Sequence, residues 1–125
     1  MNGIARYKQA RSRVGPEQLV LLLLQEAVVR LTRLESTSGA DLRWVQDLHH
    51  VRAIVLELFD GLDPSVDEAL VARLANLYQW CIEELIRAGN EREKDVIVPV
   101  RKVLETLLEA WQHILKGEPP APEAA

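Results

Sequence analysis

Cysteine and long apolar runs are scarce in this sequence of 125 residues. The single cysteine, Cys81, excludes an internal disulfide, and its apolar helical surroundings predict a buried, reduced thiol. The longest apolar run, Leu19–Leu24, is far shorter than the roughly 20 residues that a membrane-spanning helix needs. Residues 1–14 lack the long apolar centre of a secretory signal. We therefore expect a cytoplasmic protein that does not insert into a membrane.

Positive charge is concentrated in the N-terminal arm, residues 1–14. The arm contains Arg6, Lys8, Arg11 and Arg13 and no acidic residue, so a net charge of −4 for the whole chain leaves −8 on the remainder. Nucleic-acid-binding domains usually carry a basic surface on their folded part, because neutralising phosphates supplies most of the affinity. An acidic body repels phosphates, and we expect no nucleic-acid partner.

Catalytic and metal-binding motifs are absent or incomplete. The sequence has no Gly-rich phosphate loop, nucleophile elbow or CxxC pair. Asp47 and His50 are three residues apart, and Glu109 and His113 are four apart, but a di-metal bundle requires carboxylates from all four helices. We interpret Asp47 and His50, which lie off the apolar stripe of the second helix, as solvated polar residues, and we expect no catalytic residue, metal or cofactor. A metal-dependent bundle enzyme is an alternative that elemental analysis would test.

Glycines and prolines divide the chain into four amphipathic segments. Each break supplies a residue that can cap a helix N-terminus, and proline suits the first helical turn. The predicted caps are Gly15 before Pro16, Asp41, Asp63 before Pro64, and Asp95; the predicted helix ends lie near Glu35, Gly61, Ala88 and Gly117. The pattern predicts an all-α, antiparallel up-down four-helix bundle over residues 15–117. A short helical arm, residues 1–14, precedes it, and a disordered tail, residues 118–125, follows it.

Apolar residues exceed what the interior of such a bundle can bury. Leu19–Leu24 covers every face of the first helix, whereas a bundle corner buries about half of a helix circumference. In the third helix, Trp80 falls almost opposite the predicted inward stripe, which indicates either an isolated surface residue or a partner contact. Ile4 and Tyr7, one helical turn apart in the arm, are spaced to cover part of this surface. A second copy of the chain is an alternative cover. The inward stripe of the third helix is predicted to contain Leu70, Leu74, Leu77, Cys81 and Leu85, widened by Tyr78.

Three stretches resemble the flagellar export chaperones of the FliS family. "YKQARSRVGPEQLVLLLL" is similar to the family's N-terminal Tyr and the Ser-Pro-x-x-Leu opening of its first helix, with Gly15 in place of Ser. "LANLYQW" is similar to its Leu-x-x-Leu-Tyr-x-Tyr segment, and "VLETLLEAWQHI" to its last helix with a late Trp. The resemblance covers about residues 4–115, and the order and spacing of the three stretches carry it.

The resemblance implies a chaperone that binds the C-terminal segment of flagellin in hydrophobic surface grooves. Such binding prevents premature polymerisation and assists flagellar type III secretion, and the segment containing Tyr7 is implied to occupy part of the groove until the client displaces it. The residues that we expect to contact a partner are Ile4, Tyr7, Leu21, Leu24, Tyr78 and Trp80. A self-associating helical module forming a homodimer, a chaperone for another secreted subunit, and an export-gate component as a second partner remain open alternatives.

Overall fold

The computed structural model describes residues 16–92 and 94–117. Four α-helices and one short 3₁₀ helix make up the regular structure of these residues, and no strand occurs among them. The helices are α1 (Pro16–Ser36), α2 (Leu42–Asp60), α3 (Glu68–Glu91) and α4 (Ile97–Leu115), and the 3₁₀ helix spans Lys94–Val96. The arm, residues 1–14, the cap predicted at Gly15 and the tail, residues 118–125, lie outside the described residues.

The helices pack in a ring, and the prediction of an all-α four-helix bundle is confirmed. Helix α1 packs against α2 and α4, and α3 packs against α2 and, less extensively, against α4. Arg101 near the start of α4 pairs with Glu35 near the end of α1, so these two helices run antiparallel. The core between the helices consists of leucine, valine, isoleucine and alanine side chains with Trp44, Tyr78 and Cys81.

The start of α2 agrees with its prediction. The Asp41 side chain accepts a hydrogen bond of 2.9 Å from the backbone N–H of Arg43, which satisfies one of the free donors in the first helical turn. Trp44 is completely buried one turn later, and its indole Nε1 donates to the carbonyl oxygen of Leu34, 3.2 Å away. The cap and this bond together hold the start of α2 against the end of α1.

The predicted start of α3 at Asp63 and Pro64 is wrong. The Asp63 carboxylate accepts hydrogen bonds from the backbone N–H and the hydroxyl of Ser65, which close a turn before the helix. Asp67 is the actual N-cap, and its carboxylate accepts from the N–H of Leu70 at 3.0 Å. Asp63 therefore stabilises the turn, and Asp67, four residues later, caps the helix.

The predicted end of α3 before Gly89 is also wrong, because the helix continues to Glu91. A Cβ placed on Gly89 would lie 3.2 Å from Cδ2 of Leu48, so this glycine permits a close approach of α3 to α2. Arg92 ends the helix in the left-handed conformation with φ of 56°, and its N–H donates to the carbonyl of Ala88.

Helix α4 begins without a side-chain cap. Val96 occupies the N-cap position, whereas Asp95, the predicted cap, lies inside the preceding 3₁₀ helix. Pro99 lies in the first turn as predicted, where its missing N–H costs no helical hydrogen bond.

The prediction that Asp47 is a solvated residue is wrong. Its side chain is buried at the α1–α2 interface, where the guanidinium groups of Arg30 and Arg33 bind both carboxylate oxygens at 2.6–2.8 Å. Periodicity alone places Asp47 off the apolar stripe of α2, but arginines from the neighbouring helix neutralise it there.

Candidate functional site

An open apolar groove runs between α3 and α4. Leu77 of α3 and Val103 and Leu107 of α4 form its floor, and Lys102 and Thr106 complete its lining. Its volume is about 290 Å³. This is at the small end of the range for small-molecule pockets, and the groove is open to solvent. Such a shape suits the side chains of another helix better than a small molecule, which needs an enclosed pocket.

Two apolar stripes face this groove and become more exposed toward one end of the bundle. On α3, Cys81 is buried, Leu77 and Leu74 are half-buried, and Leu70 is 46% exposed. On α4 the stripe is Val103, Leu107, Ala110 and Ile114, in which the first three are half-buried and Ile114 is 55% exposed. Side chains three and four residues apart share a helix face, so each stripe is continuous.

The stripes stay partly exposed because α3 and α4 contact one another less than any other pair of neighbouring helices in the ring. All four side chains of α3 that are fully buried in the core lie at Tyr78 or beyond. None of the first ten residues of the helix, 68–77, is therefore fully buried, although Leu74 packs partly against the core. The sequence assigned Leu70, Leu74 and Leu77 to the interior, and the structure corrects this: Leu70 is exposed and the other two are partly covered.

Trp80 does not lie on the side of α3 opposite the core, and it is not one of the residues that line the groove. Its ring is partly buried and packs against the core, so the predicted opposite-face position is wrong. Trp80 follows Leu77 by three residues, which places it next to Leu77 on the helix surface. Helix geometry therefore places Trp80 on the same flank of α3 as Leu77, which lines the groove toward α4.

Tyr78 and Leu24 lie in the core. Tyr78 is 2% exposed and Leu24 is completely buried, so neither offers surface to a partner in this conformation, contrary to our expectation. Within the run Leu19–Leu24, the residue that faces outward is Leu22, which is 38% exposed. Burial raises the pKa of Tyr78 to about 12, with a smaller contribution from Cys81.

Leu21 is half-buried and lines a second cavity, of about 420 Å³, between the start of α1 and the end of α4. The other lining residues are Gln18, Gln112, Leu115 and Lys116, which make this cavity more polar than the groove. Ile4 and Tyr7 lie outside the described residues, so their predicted contacts remain predictions.

The described residues show no site for a metal ion. Across residues 16–92 and 94–117, no three or more His, Cys, Asp and Glu side chains come close enough together to bind one. In the same part of the chain, no helix has the length and apolar character required to cross a membrane. Cys81 is buried as predicted, and burial, followed by the charge of Glu84, raises the pKa of its thiol to about 12.

Comparison with protein families gives a match over nearly the whole chain. The model of the family described as flagellar protein FliS matches residues 1–118. The chain belongs to the FliS family. FliS proteins are chaperones of flagellar assembly and export, not enzymes, and the helical bundle described above agrees with this assignment. No individual curated protein matches this sequence significantly.

The floor of the groove was missed as a site by sequence reasoning. Val103 and Leu107 lie on the apolar stripe of α4, and the amphipathic pattern of a helix predicts that such a stripe faces the core. A stripe shows which residues share a face of a helix but not how far away the neighbouring helix lies. No signal within one helix distinguishes a groove from a core.

Proposed function

We propose that this FliS-family protein binds the C-terminal segment of flagellin in the groove between α3 and α4 before export. The observation that carries the proposal is the pair of facing apolar stripes that the bundle leaves partly exposed. Leucine and valine side chains in an open groove are the receptor half of helix-in-groove recognition, in which an amphipathic helix inserts one apolar face. FliS-family membership supplies the class of partner.

An ordering cost explains why such a groove needs to be long. A segment that is disordered when free loses roughly 2 to 5 kcal/mol of its contact energy when it folds on binding. The partly exposed stripe of α4 extends beyond the groove lining, from Val103 to Ile114, which is about 16 Å at 1.5 Å per residue, or about three helical turns. Several apolar side chains from the client then enter one continuous surface, and their combined burial offsets the ordering cost.

Calorimetric titration with a synthetic C-terminal segment of the host's own flagellin tests the proposal. We expect binding to the wild-type protein and loss of binding in Thr106→Trp, which fills the groove from an exposed position without removing a core side chain. Leu77→Asp should act in the same way by placing a charge on the apolar floor. Because Leu77 is half-buried, the melting temperature of Leu77→Asp must also be measured, to separate loss of binding from loss of fold.

The matched control is Leu42→Asp. Leu42 is 69% exposed at the first position of α2, outside the groove lining, and an acidic residue is favourable in a first helical turn. This variant should bind the flagellin segment as the wild-type protein does. Equal binding by Thr106→Trp and the wild-type protein would place the client elsewhere, and no binding by folded wild-type protein would exclude this client.

A further inference from the structure

Two exposed basic side chains, one lining the apolar groove and one a helical turn away from it on α3, have no acidic partner among the described residues. Lys102 is exposed on the α4 rim and lines the groove. Arg73 is exposed on α3, one helical turn before Leu77 and on the same face. Neither side chain forms an ion pair with another described residue, whereas all four other arginines within α1, α3 and α4 do.

Glu68, five residues before Arg73 on α3, is exposed and forms no ion pair with another described residue, but its spacing places it on another face of the helix. Two other acidic residues of α3 and α4 are engaged. Glu105, three residues after Lys102, accepts a hydrogen bond of 2.7 Å from Arg101. Glu84, one turn after Trp80, lies 3.2 Å from Arg87. Glu109 is exposed and stands two turns beyond Lys102. The groove is thus flanked by available positive charge, although the chain as a whole has a net charge of −4.

We infer that the groove selects an amphipathic helix of about three turns whose apolar face is flanked by acidic side chains. Its apolar residues, spaced i, i+3 or i+4, and i+7, enter between α3 and α4, and its carboxylates lie over Lys102 and Arg73. This inference rests on the proposed function, and it assigns the chemical character of the segment. Charge complementarity of this kind steers encounter and selects among apolar helices that would otherwise bind similarly.

Three designed peptides of equal length test the charge preference. All carry leucines at the same helical spacing, and the positions flanking the leucines are Glu in the first peptide, Gln in the second and Lys in the third. For the wild-type protein, fluorescence polarisation should give the order Glu, Gln, Lys from tightest to weakest. The step between successive peptides should be about three- to tenfold in Kd, as expected for exposed charge pairs partly desolvated on binding. The preference should shrink at high salt.

The double variant Lys102→Glu/Arg73→Glu should reverse that order. The matched control is Lys94→Glu/Arg43→Glu, which changes the net charge by the same amount at two exposed positions outside the groove lining. The control should keep the wild-type order. Thr106→Trp should weaken binding of all three peptides, which locates them in the groove. Equal binding of the three peptides, or the same reversal in the control, would overturn the inference.

The flagellin segment, measured beside the designed peptides, separates this inference from the proposed function. If flagellin binds and is blocked by Thr106→Trp, yet neither it nor the designed peptides respond to the charge variants, the function stands and the inference fails. If the Glu peptide binds through Lys102 and Arg73 while flagellin does not bind, the inferred chemistry stands and the proposed client is wrong. If no peptide binds to the folded protein, both are overturned.

Discussion

The carboxylate of Asp47 on α2 lies 2.6 Å from the guanidinium of Arg30 on α1. Arg33, one turn later on α1, donates two further hydrogen bonds to the same carboxylate. Arg30 also donates to Glu26 at 2.6 Å, so one buried acid organises the charged side chains along this interface. The contacts of Asp47 with Arg30 and Arg33 join α1 to α2 toward the end of the bundle opposite the exposed end of the groove.

Replacing Asp47 with Asn should destabilise the protein by about 2 kcal/mol. The amide keeps the size of the side chain but removes the charge, so both arginines lose a charged acceptor in a partly buried site. Chemical denaturation followed by circular dichroism measures the change in the free energy of unfolding. Arg33→Lys is the milder companion, because Arg33 is half exposed and Arg30 remains in place. A change below about 0.5 kcal/mol in Asp47→Asn would show that the network contributes little.

Acid should destabilise the wild-type protein partly through the same residue. Burial raises the pKa of Asp47, but the hydrogen bonds and charges of Arg33 and Arg30 outweigh it, so the pKa lies below its usual value. A carboxyl with a lowered pKa in the folded state stabilises the protein above its unfolded pKa, about 3.9, and loses that contribution as pH falls through the folded pKa.

The free energy of unfolding should therefore fall below about pH 4, and Asp47→Asn should fall less steeply over that range. Asp63→Asn is the control. Hydrogen bonds from Ser65 lower the pKa of Asp63, but this residue is exposed and water screens its charge. Urea unfolding at several pH values from 2 to 6 gives the comparison. Parallel curves for the wild-type protein and Asp47→Asn would assign the acid sensitivity to other carboxylates.

The Cys81 thiol should react with Ellman's reagent only when the protein unfolds. Its side chain is completely buried, and burial with the nearby Glu84 charge raises its pKa to about 12, so little thiolate forms at pH 8. Absorbance should stay flat in native buffer and rise at once in guanidinium chloride. Ser65→Cys in a Cys81→Ala background supplies an exposed thiol that should react immediately. Rapid reaction of native Cys81 would mean that α3 opens readily.

Trp80→Ala should reduce stability as well as client binding. The ring is partly buried against the core, so its removal should cost about 1 to 3 kcal/mol, less than a completely buried tryptophan. Trp80→Phe retains most of the packing and is the matched variant. Denaturation curves and the flagellin titration, performed on the same protein samples, separate the two effects. Unchanged stability with weakened binding would mean that Trp80 serves the partner alone.

The sequence predicted the individual helices better than the contacts between helices. Asp41 was identified as a cap because capping is local, involving one side chain and an N–H two residues away. Gly89 was taken as a helix end, but its close approach to Leu48 is a contact between helices that no local pattern reveals. Leu24 and Leu22 belong to a run that is apolar on every face, so periodicity could not tell which of them points inward.

The candidate site was predicted only in part, for the same reason. A surplus of apolar surface followed from composition and helix geometry, and exposed leucines and an open groove do exist. Assigning that surplus to residues required the spacing between α3 and α4. Asp47 shows the same dependence for charge, because its burial is understandable only when Arg30 and Arg33 are seen beside it.

Replacing Arg92 with alanine should destabilise the protein more than replacing it with glycine. Its Nη1 donates to the carbonyl of Gly39 at 2.8 Å, and its guanidinium lies 5.9 Å from the centre of the Trp44 ring, so it ties the end of α3 to the α1–α2 loop. Its backbone is left-handed, which costs an L-residue about 1 kcal/mol relative to glycine. Arg92→Ala loses both contacts and keeps that backbone cost, whereas Arg92→Gly loses the contacts but relieves it.

Arg92→Gly should accordingly be more stable than Arg92→Ala by about 1 kcal/mol, with the wild-type protein at or above the glycine variant. Thermal unfolding of the three proteins under identical conditions measures the order. Trp44→Phe in the wild-type and Arg92→Ala backgrounds completes a double-mutant cycle for the ring contact. If the alanine and glycine variants were equally stable, the end of α3 would relax out of the left-handed conformation once the arginine is gone, and the side-chain contacts would be what holds the backbone there.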